Sequence, residues 1–209
     1  MSEKNQEIEA KFYVNNLDKI LTRLHELEAR LTQPRVLETN IRFDLPDASL
    51  RAERRVLRLR HDTEARLTYK DPSQNEQGVL NRREIEFTVE DFDKAKLLLE
   101  ALGYQCIFYY EKYRTTYVLS QTSEVSTYVM LDELPYGNFV EIEGATIEVI
   151  KEAANKLNLK WDTAIGKSYS ALFDQARKIL NISFQDLSFT NFSGMLVTAS
   201  HLGVQAAEE

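Results

Sequence analysis

The chain has 209 residues, 43% of them hydrophobic and 28% charged, the profile of one globular domain able to bury a proper core. Its formal net charge of -7 argues against general binding to nucleic acid or to an anionic membrane, and no apolar run approaches spanning length. Cys106 is the lone cysteine, so no internal disulfide can form; residues 1–10 carry no hydrophobic leader region, and a cytoplasmic setting is expected.

The first expected element is a strand. In Glu7-Ile-Glu-Ala-Lys11 the charged positions alternate with Ile8, Ala10 and Phe12. Alternate side chains of a strand project to opposite faces, so Glu7, Glu9 and Lys11 share one face. Two carboxylates so placed can point at one divalent cation, and the lysine beyond them suits an anion held by that cation. A half-buried strand with a wet outer face would read the same way, so this run alone decides nothing.

A helix is expected next, because Leu17, Ile20, Leu21, Leu24, Leu27 and Leu31 recur at helical spacing, with Asp18 near the start and Pro34 beyond the end. From Glu38 to Leu45, Asn40, Arg42 and Asp44 alternate with Ile41 and Phe43 as in a strand. A basic run follows, with Arg51, Arg54, Arg55, Arg58 and Arg60; its last two members alternate with Leu57 and Leu59. Thr68 and Lys70 alternate with Leu67 and Tyr69, and Asp71 to Gly78 reads as a polar hairpin loop. Arg82, Glu84 and Glu86 alternate with Ile85 and Phe87. Phe92, Ala95, Leu98, Leu99 and Leu102 then mark a helix that stops at Gly103.

In the second half Lys112, Arg114 and Thr116 share a strand face, and Asp132 lies opposite Val129 and Leu131. Pro135 to Asn138 reads as a turn into a strand where Glu141 and Glu143 alternate with Val140 and Ile142. Two more amphipathic helices are expected, over 146–157 and 168–180. This is an α+β pattern: an antiparallel sheet with one charged face, its apolar face covered by helices. If the sheet closes, the helices lie outside, the charged face lines the lumen, and no edge is left exposed. A charged lumen is costly unless its charges pair or bind ions.

Other chemistries lack their residues. Gly166-Lys167-Ser168 resembles the end of a phosphate-binding loop, but Trp161 stands where the earlier glycine is required. His25, His61 and His201 show no zinc-type spacing, and no nucleophile elbow is present. Oxygen ligands without histidine or cysteine favour magnesium or manganese.

Taken together, these segments resemble the CYTH superfamily, the triphosphate tunnel metalloenzymes. Glu7-Ile-Glu-Ala-Lys11 is similar to its ExExK signature, and Leu57-Arg-Leu-Arg60 to its paired-arginine strand. Leu67-Thr-Tyr-Lys70 is similar to the lysine strand, Arg82-Arg-Glu-Ile-Glu86 to the central acidic strand and Glu111-Lys-Tyr-Arg114 to the Lys-Xaa-Arg strand. The stretch from Leu131 to Glu143 is similar to the aspartate-turn-ExE hairpin, and Lys167-Ser-Tyr169 to the start of the closing helix. These matches run in the expected order over residues 7–173.

The resemblance implies a closed eight-stranded antiparallel barrel, a tunnel with helices packed outside, over 1–180, followed by a C-terminal extension over 181–209. It implies a triphosphate-containing small molecule bound with divalent cations, magnesium or manganese. The expected activity is hydrolysis of inorganic tripolyphosphate, thiamine triphosphate or a nucleoside triphosphate. Class IV adenylate cyclase chemistry, giving cyclic AMP and pyrophosphate from ATP, is the alternative; the His-Phe element those cyclases carry before the acidic strand is absent here. A non-catalytic triphosphate or polyphosphate sensor is a third reading, disfavoured by the intact acidic set.

On this resemblance the lumen holds Lys11, Arg58, Arg60, Lys70, Arg82, Lys112 and Arg114 against Glu7, Glu9, Glu84, Glu86, Asp132, Glu141 and Glu143. The two sets cancel, and two divalent cations would supply about four positive charges to balance a triphosphate. The expected metal ligands are Glu7, Glu9, Asp132, Glu141 and Glu143. Arg58, Arg60, Arg82, Lys112 and Arg114 are expected to bind phosphoryl oxygens. Lys11 and Lys70 would neutralise charge near the scissile phosphate, with Lys70 positioning or deprotonating water. Glu84 and Glu86 would orient the bases or hold a second metal. Phe184, Leu187, Phe189, Phe192, Met195 and Leu196 in the extension need burial; they could pad the barrel wall, cover a tunnel mouth or form a homodimer contact.

Overall fold

The computed structural model describes residues 6–76, 78–121 and 126–208. Its elements in chain order are β1 (Gln6–Val14), α1 (Leu17–Glu26), β2 (Arg30–Asp44), α2 (Ser49–Ala52), β3 (Val56–His61), β4 (Ala65–Lys70), β5 (Gln74–Glu76), β6 (Val79–Val89) and α3 (Phe92–Ala101). There follow β7 (Gln105–Gln121), β8 (Ser126–Leu134), β9 (Gly137–Glu143), α4 (Ile147–Lys156), α5 (Tyr169–Leu180) and α6 (Ala199–Leu202). The strands pair in the order β1-β9-β8-β7-β2-β3-β4-β6, and β6 pairs back onto β1, closing an eight-stranded antiparallel barrel. Strand β5, inside the segment expected to be a plain loop, adds to the end of β6.

Closure follows from the alternation. The strands offer apolar rows outward, covered by helices over much of the barrel though Ile85 and Phe87 of β6 stay exposed, and charged rows to the interior, so a one-residue slip would put charge into the core. Ile20 and Leu24 of α1, Ile150 and Ala153 of α4 and Leu157 just beyond it pack on Phe12, Val14, Val129 and Ile142. Leu172 and Phe173 of α5 pack with Tyr136 and Phe139, and residues of the C-terminal segment, Leu187, Phe192 and Leu202, join them. A third cluster sets Leu99 of α3 and Leu50 of α2 against Phe43, Leu57 and Leu59. The C-terminal segment also bonds to the barrel backbone, at Glu111 N–H to Leu187 O (2.9 Å) and at Ala207 N–H to Tyr13 O (2.9 Å). Helix starts are capped by Asn16, Asp91, Thr146 and Ser168, each accepting from a first-turn N–H.

Two expectations are corrected. Helix α1 ends at Glu26, not at Leu31, and both Leu31 and Pro34 belong to β2. Glu28 adopts a left-handed φ of 54°, and Ala29 N–H bonds back to Leu24 O at 2.9 Å. A non-glycine residue thus closes the helix with a Schellman-type turn. Pro34 sits between Gln33 and Val36, where the β2–β7 register shifts and the ladder needs no donor. On α3 the apolar stripe is only partly used: Leu99 is buried, while Leu98 and Leu102 are exposed. Among the described residues no helix is long and apolar enough to cross a membrane.

Candidate functional site in the barrel lumen

The register builds the lumen from cross-strand charge pairs. Glu7 stands opposite Arg82, and Lys11 opposite Glu141. Lys70 stands opposite Glu84, Arg114 opposite Asp132, and Glu38 opposite Lys112. Opposite charges directly across a ladder attract, which supports this register. The cavity inside the barrel is about 460 Å³ and is lined by every expected site residue except Asp132.

Most of these charges are paired. Lys11 Nζ lies 2.8 Å from Glu141, and Lys70 Nζ lies 2.8 Å from both Glu7 and Glu84. Arg82 reaches Glu7 at 2.9 Å and Glu9 at 3.5 Å. Arg60 contacts Glu86 at 2.8 Å, and Arg58 reaches the same carboxylate at 3.6 Å. Asp132 is fully buried behind the lining. It accepts from Arg114 Nε and Nη2 at 2.6 Å each, from Lys112 at 3.0 Å and from Tyr169 Oη at 2.7 Å. Arg114 also bonds Glu141. Lys11 lies 4.3 Å over the Tyr169 ring, a cation–π contact that holds it at the lumen wall.

The lumen is electrostatically polarised. On the wall made by β1, β6 and β9 the carboxylates crowd. Burial pushes the Glu143 carboxyl up to about 7, and Glu7, Glu9 and Glu84 add to the shift. Burial raises Glu9 as well, reinforced by Glu7 and Glu141. Glu7 goes the other way: burial opposes its charge, but Lys70 and Arg82 together hold it well below the carboxylate range. On the wall made by β2 and β3 the excess is positive. The Nε–H groups of Arg58 and Arg60 are buried with no acceptor.

Sequence reasoning missed several lumen residues. Glu38 is fully buried between Lys112 (3.5 Å) and Arg60 (3.7 Å). Arg42, Tyr110, Ser168, Tyr169 and Ser170 also line the cavity. The alternation around Asn40 and Arg42 was the available signal for the β2 residues. It also misleads once, because Asp44 caps α2 by accepting from Leu50 and Arg51 N–H, each at 2.9 Å. Of the basic run, Arg58 and Arg60 reach the lumen, whereas Arg55 pairs outside it with Glu53 at 2.6 Å.

A divalent cation fits the donor chemistry of the acidic wall. Among the described residues no three carboxylate, imidazole or thiol groups already stand in an ion-holding arrangement. The raised carboxyls of Glu9 and Glu143, directly opposite each other in the β1–β9 ladder, nevertheless mark surplus negative charge that the bases leave uncompensated.

Comparison with known proteins agrees with this geometry. The family profile of the CYTH domain matches residues 5–169. A candidate adenylate cyclase from Vibrio parahaemolyticus superposes with a TM-score of 0.69 at 22% identity, covering 85% of this chain and 98% of that one. The PH1012 protein of Pyrococcus horikoshii OT3 gives 0.62 at 26% identity, over 78% and 96% of the two chains. A candidate adenylyl cyclase from Hippeastrum, described with a dominant triphosphatase activity, gives 0.61 at 18% identity, over 80% and 95%. No curated protein sequence matches the chain.

Proposed function

The chain belongs to the CYTH domain family, and on that premise we propose that it is a divalent-metal-dependent triphosphatase, hydrolysing the terminal phosphoanhydride of a triphosphate. The observation that carries this reading is the polarised lumen. Buried guanidinium donors without acceptors stand on one wall, and mutually repelling carboxylates on the other. A phosphate chain satisfies the first set and cations satisfy the second, so the two ligands complete each other.

Glu7, Glu9, Glu141 and Glu143 would hold the cation, which when bound neutralises phosphoryl oxygens and makes phosphorus more electrophilic. Arg58 and Arg60 clamp the phosphate chain through their unused donors. Arg82 and Arg114 add further guanidinium donors at the lumen wall. Lys11, fixed by Glu141 and Tyr169, neutralises charge near the scissile bond. Lys70, held between Glu7 and Glu84, orients the attacking water. Glu84 and Glu86 orient Lys70 and Arg60. Asp132, with its oxygens already taken by Lys112, Arg114 and Tyr169, serves as the buried counterion that aims those bases. No nucleophilic side chain is needed, because phosphoryl transfer depends on positioning and charge stabilisation. Water oxygen adds to the terminal phosphorus as the bridging P–O bond breaks, the water's protons end on phosphate oxygens of the products, and orthophosphate and the diphosphate remnant leave.

The test is orthophosphate release from tripolyphosphate by the full chain with magnesium or manganese. The expected result is turnover that disappears in chelator and returns with added metal. Absence of release in either metal would overturn the proposal.

A further inference from the structure

Beside the lumen lies a second cavity of about 120 Å³. It shares Arg42, Phe108 and Ser170 with the lumen lining, while Arg51 and Arg177 complete its basic side and Asp174 also lines it. Three guanidinium groups here meet one carboxylate. Asp174 lies 3.6 Å from the exposed Arg51 and 4.0 Å from the half-buried Arg177, long pairings that neutralise little.

Arg42 is the distinctive residue. The expected lumen bases pair with carboxylates, but Arg42, which was not among them, has no carboxylate within ion-pair distance among the described residues. Its Nη1 donates to the Ser170 hydroxyl at 2.7 Å. Its Nε–H, like that of Arg177, is buried without an acceptor. It stands directly opposite Arg58 in the β2–β3 ladder. Burial lowers its pKa, and the like charges of Arg58, Arg51 and Arg82 lower it further. Such an arrangement is costly until an anion arrives.

Size and charge identify the anion. At about 120 Å³ the cavity is well short of the ~300–1,000 Å³ typical of sites for drug-sized organic ligands. It is several times the ~30 Å³ share of one water, which suits a phosphoryl group. Resting on the reading of the lumen as a triphosphate site, we propose that this cavity is a subsite for the next phosphoryl group of a linear inorganic polyphosphate of four or more phosphates. Arg42 bonds the chain where the two cavities meet, and Arg51 and Arg177 flank the added group.

Thermal-shift titration of the full chain in magnesium, with tripolyphosphate and with tetrapolyphosphate, tests the subsite independently of turnover. The wild-type protein is expected to bind tetrapolyphosphate at least about tenfold more tightly, the scale of one or two charge-assisted hydrogen bonds. In Arg51→Gln/Arg177→Gln that preference is expected to fall at least about fivefold. Arg51 is exposed, so Arg51→Gln alone provides the reading if the double variant does not fold. Equal affinities in the wild type, or a preference unchanged in folded variants, would overturn the subsite. Orthophosphate assays on the same samples report the hydrolase reading separately. Tight tetrapolyphosphate binding with no hydrolysis of tripolyphosphate would sink that reading and leave the subsite standing, and hydrolysis with equal affinities would do the reverse.

Discussion

Asp132 and Glu143 both lie on the hairpin that carries the acidic residues, yet the structure gives them opposite surroundings. Asp132 has no exposure and accepts from Arg114, Lys112 and Tyr169. Asp132→Asn keeps the shape, removes the charge and leaves two buried cations short of a partner. Breaking a buried ion pair on one side costs about 3–5 kcal/mol. Glu38 and Glu141 still face Lys112 and Arg114, so the lower end, about 3 kcal/mol, is expected. For a chain of this size that corresponds to a fall of roughly 6–12 °C in melting temperature. Glu143→Gln should do the opposite. It relieves repulsion from Glu7, Glu9 and Glu84, so the metal-free protein should melt no lower than wild type. Its manganese affinity, however, should drop at least about tenfold, because a ligand charge is lost. Thermal melting in chelator and manganese titration by electron paramagnetic resonance separate the two effects. The reasoning is refuted if Asp132→Asn melts like wild type and loses manganese binding, since Asp132 would then be a ligand rather than a counterion.

Three further outcomes are expected. Glu9→Gln should lower turnover at least ~100-fold while the fold survives, as loss of several kcal/mol of transition-state stabilisation requires; near-native turnover of folded protein would contradict its assignment. Arg58→Ala should weaken tripolyphosphate binding far more than orthophosphate binding at little cost in stability, because its protein contacts are long, 3.4 Å to Tyr110 and Thr68 and 3.6 Å to Glu86; calorimetry with both ligands checks it. Arg114→Ala should weaken the same binding but also destabilise the fold by about 3 kcal/mol, the lower end for a broken buried pair, because Lys112 and Tyr169 still face Asp132 and Lys11 still faces Glu141; a denaturant titration showing no loss would remove its role as a brace.

The barrel was legible because period-two alternation of charge survives in most lumen strands, with Arg83 of β6 and the adjacent Asp132 and Glu133 of β8 as breaks, and differs from helical spacing. From Arg58 and Arg60 through Glu141 and Glu143, the expected site residues, Asp132 apart, reach one cavity. What escaped depends on three-dimensional neighbours. Leu31 continues a helical stripe by accident; the left-handed turn at Glu28, a residue with no glycine-like signature, ends the helix first. Leu98 and Leu102 have the spacing of core residues, but α3 crosses only a small part of the barrel and buries Leu99 alone. Asp132 has the residue type of a metal ligand, and its burial behind the lining, with Lys112, Arg114 and Tyr169 donating to it, could be seen only in the structure. Arg42 was visible on a charged row, but its lack of a carboxylate partner could be recognised only after β2 was set beside β3.

The central claim is that the lumen directs water at the end of a phosphate chain. A cyclase would instead direct the ribose 3′-oxygen of ATP at the α-phosphorus, and would have to grip the nucleoside. The cavity adjoining the lumen is small and ringed by Arg42, Arg51 and Arg177, which favours phosphate over a nucleoside. Chromatography of the products from parallel reactions with tripolyphosphate and ATP, each with magnesium or manganese, measures this directly. The account predicts orthophosphate from tripolyphosphate, faster than any cyclic AMP forms from ATP; abundant cyclic AMP and pyrophosphate from ATP, with tripolyphosphate inert, would contradict it.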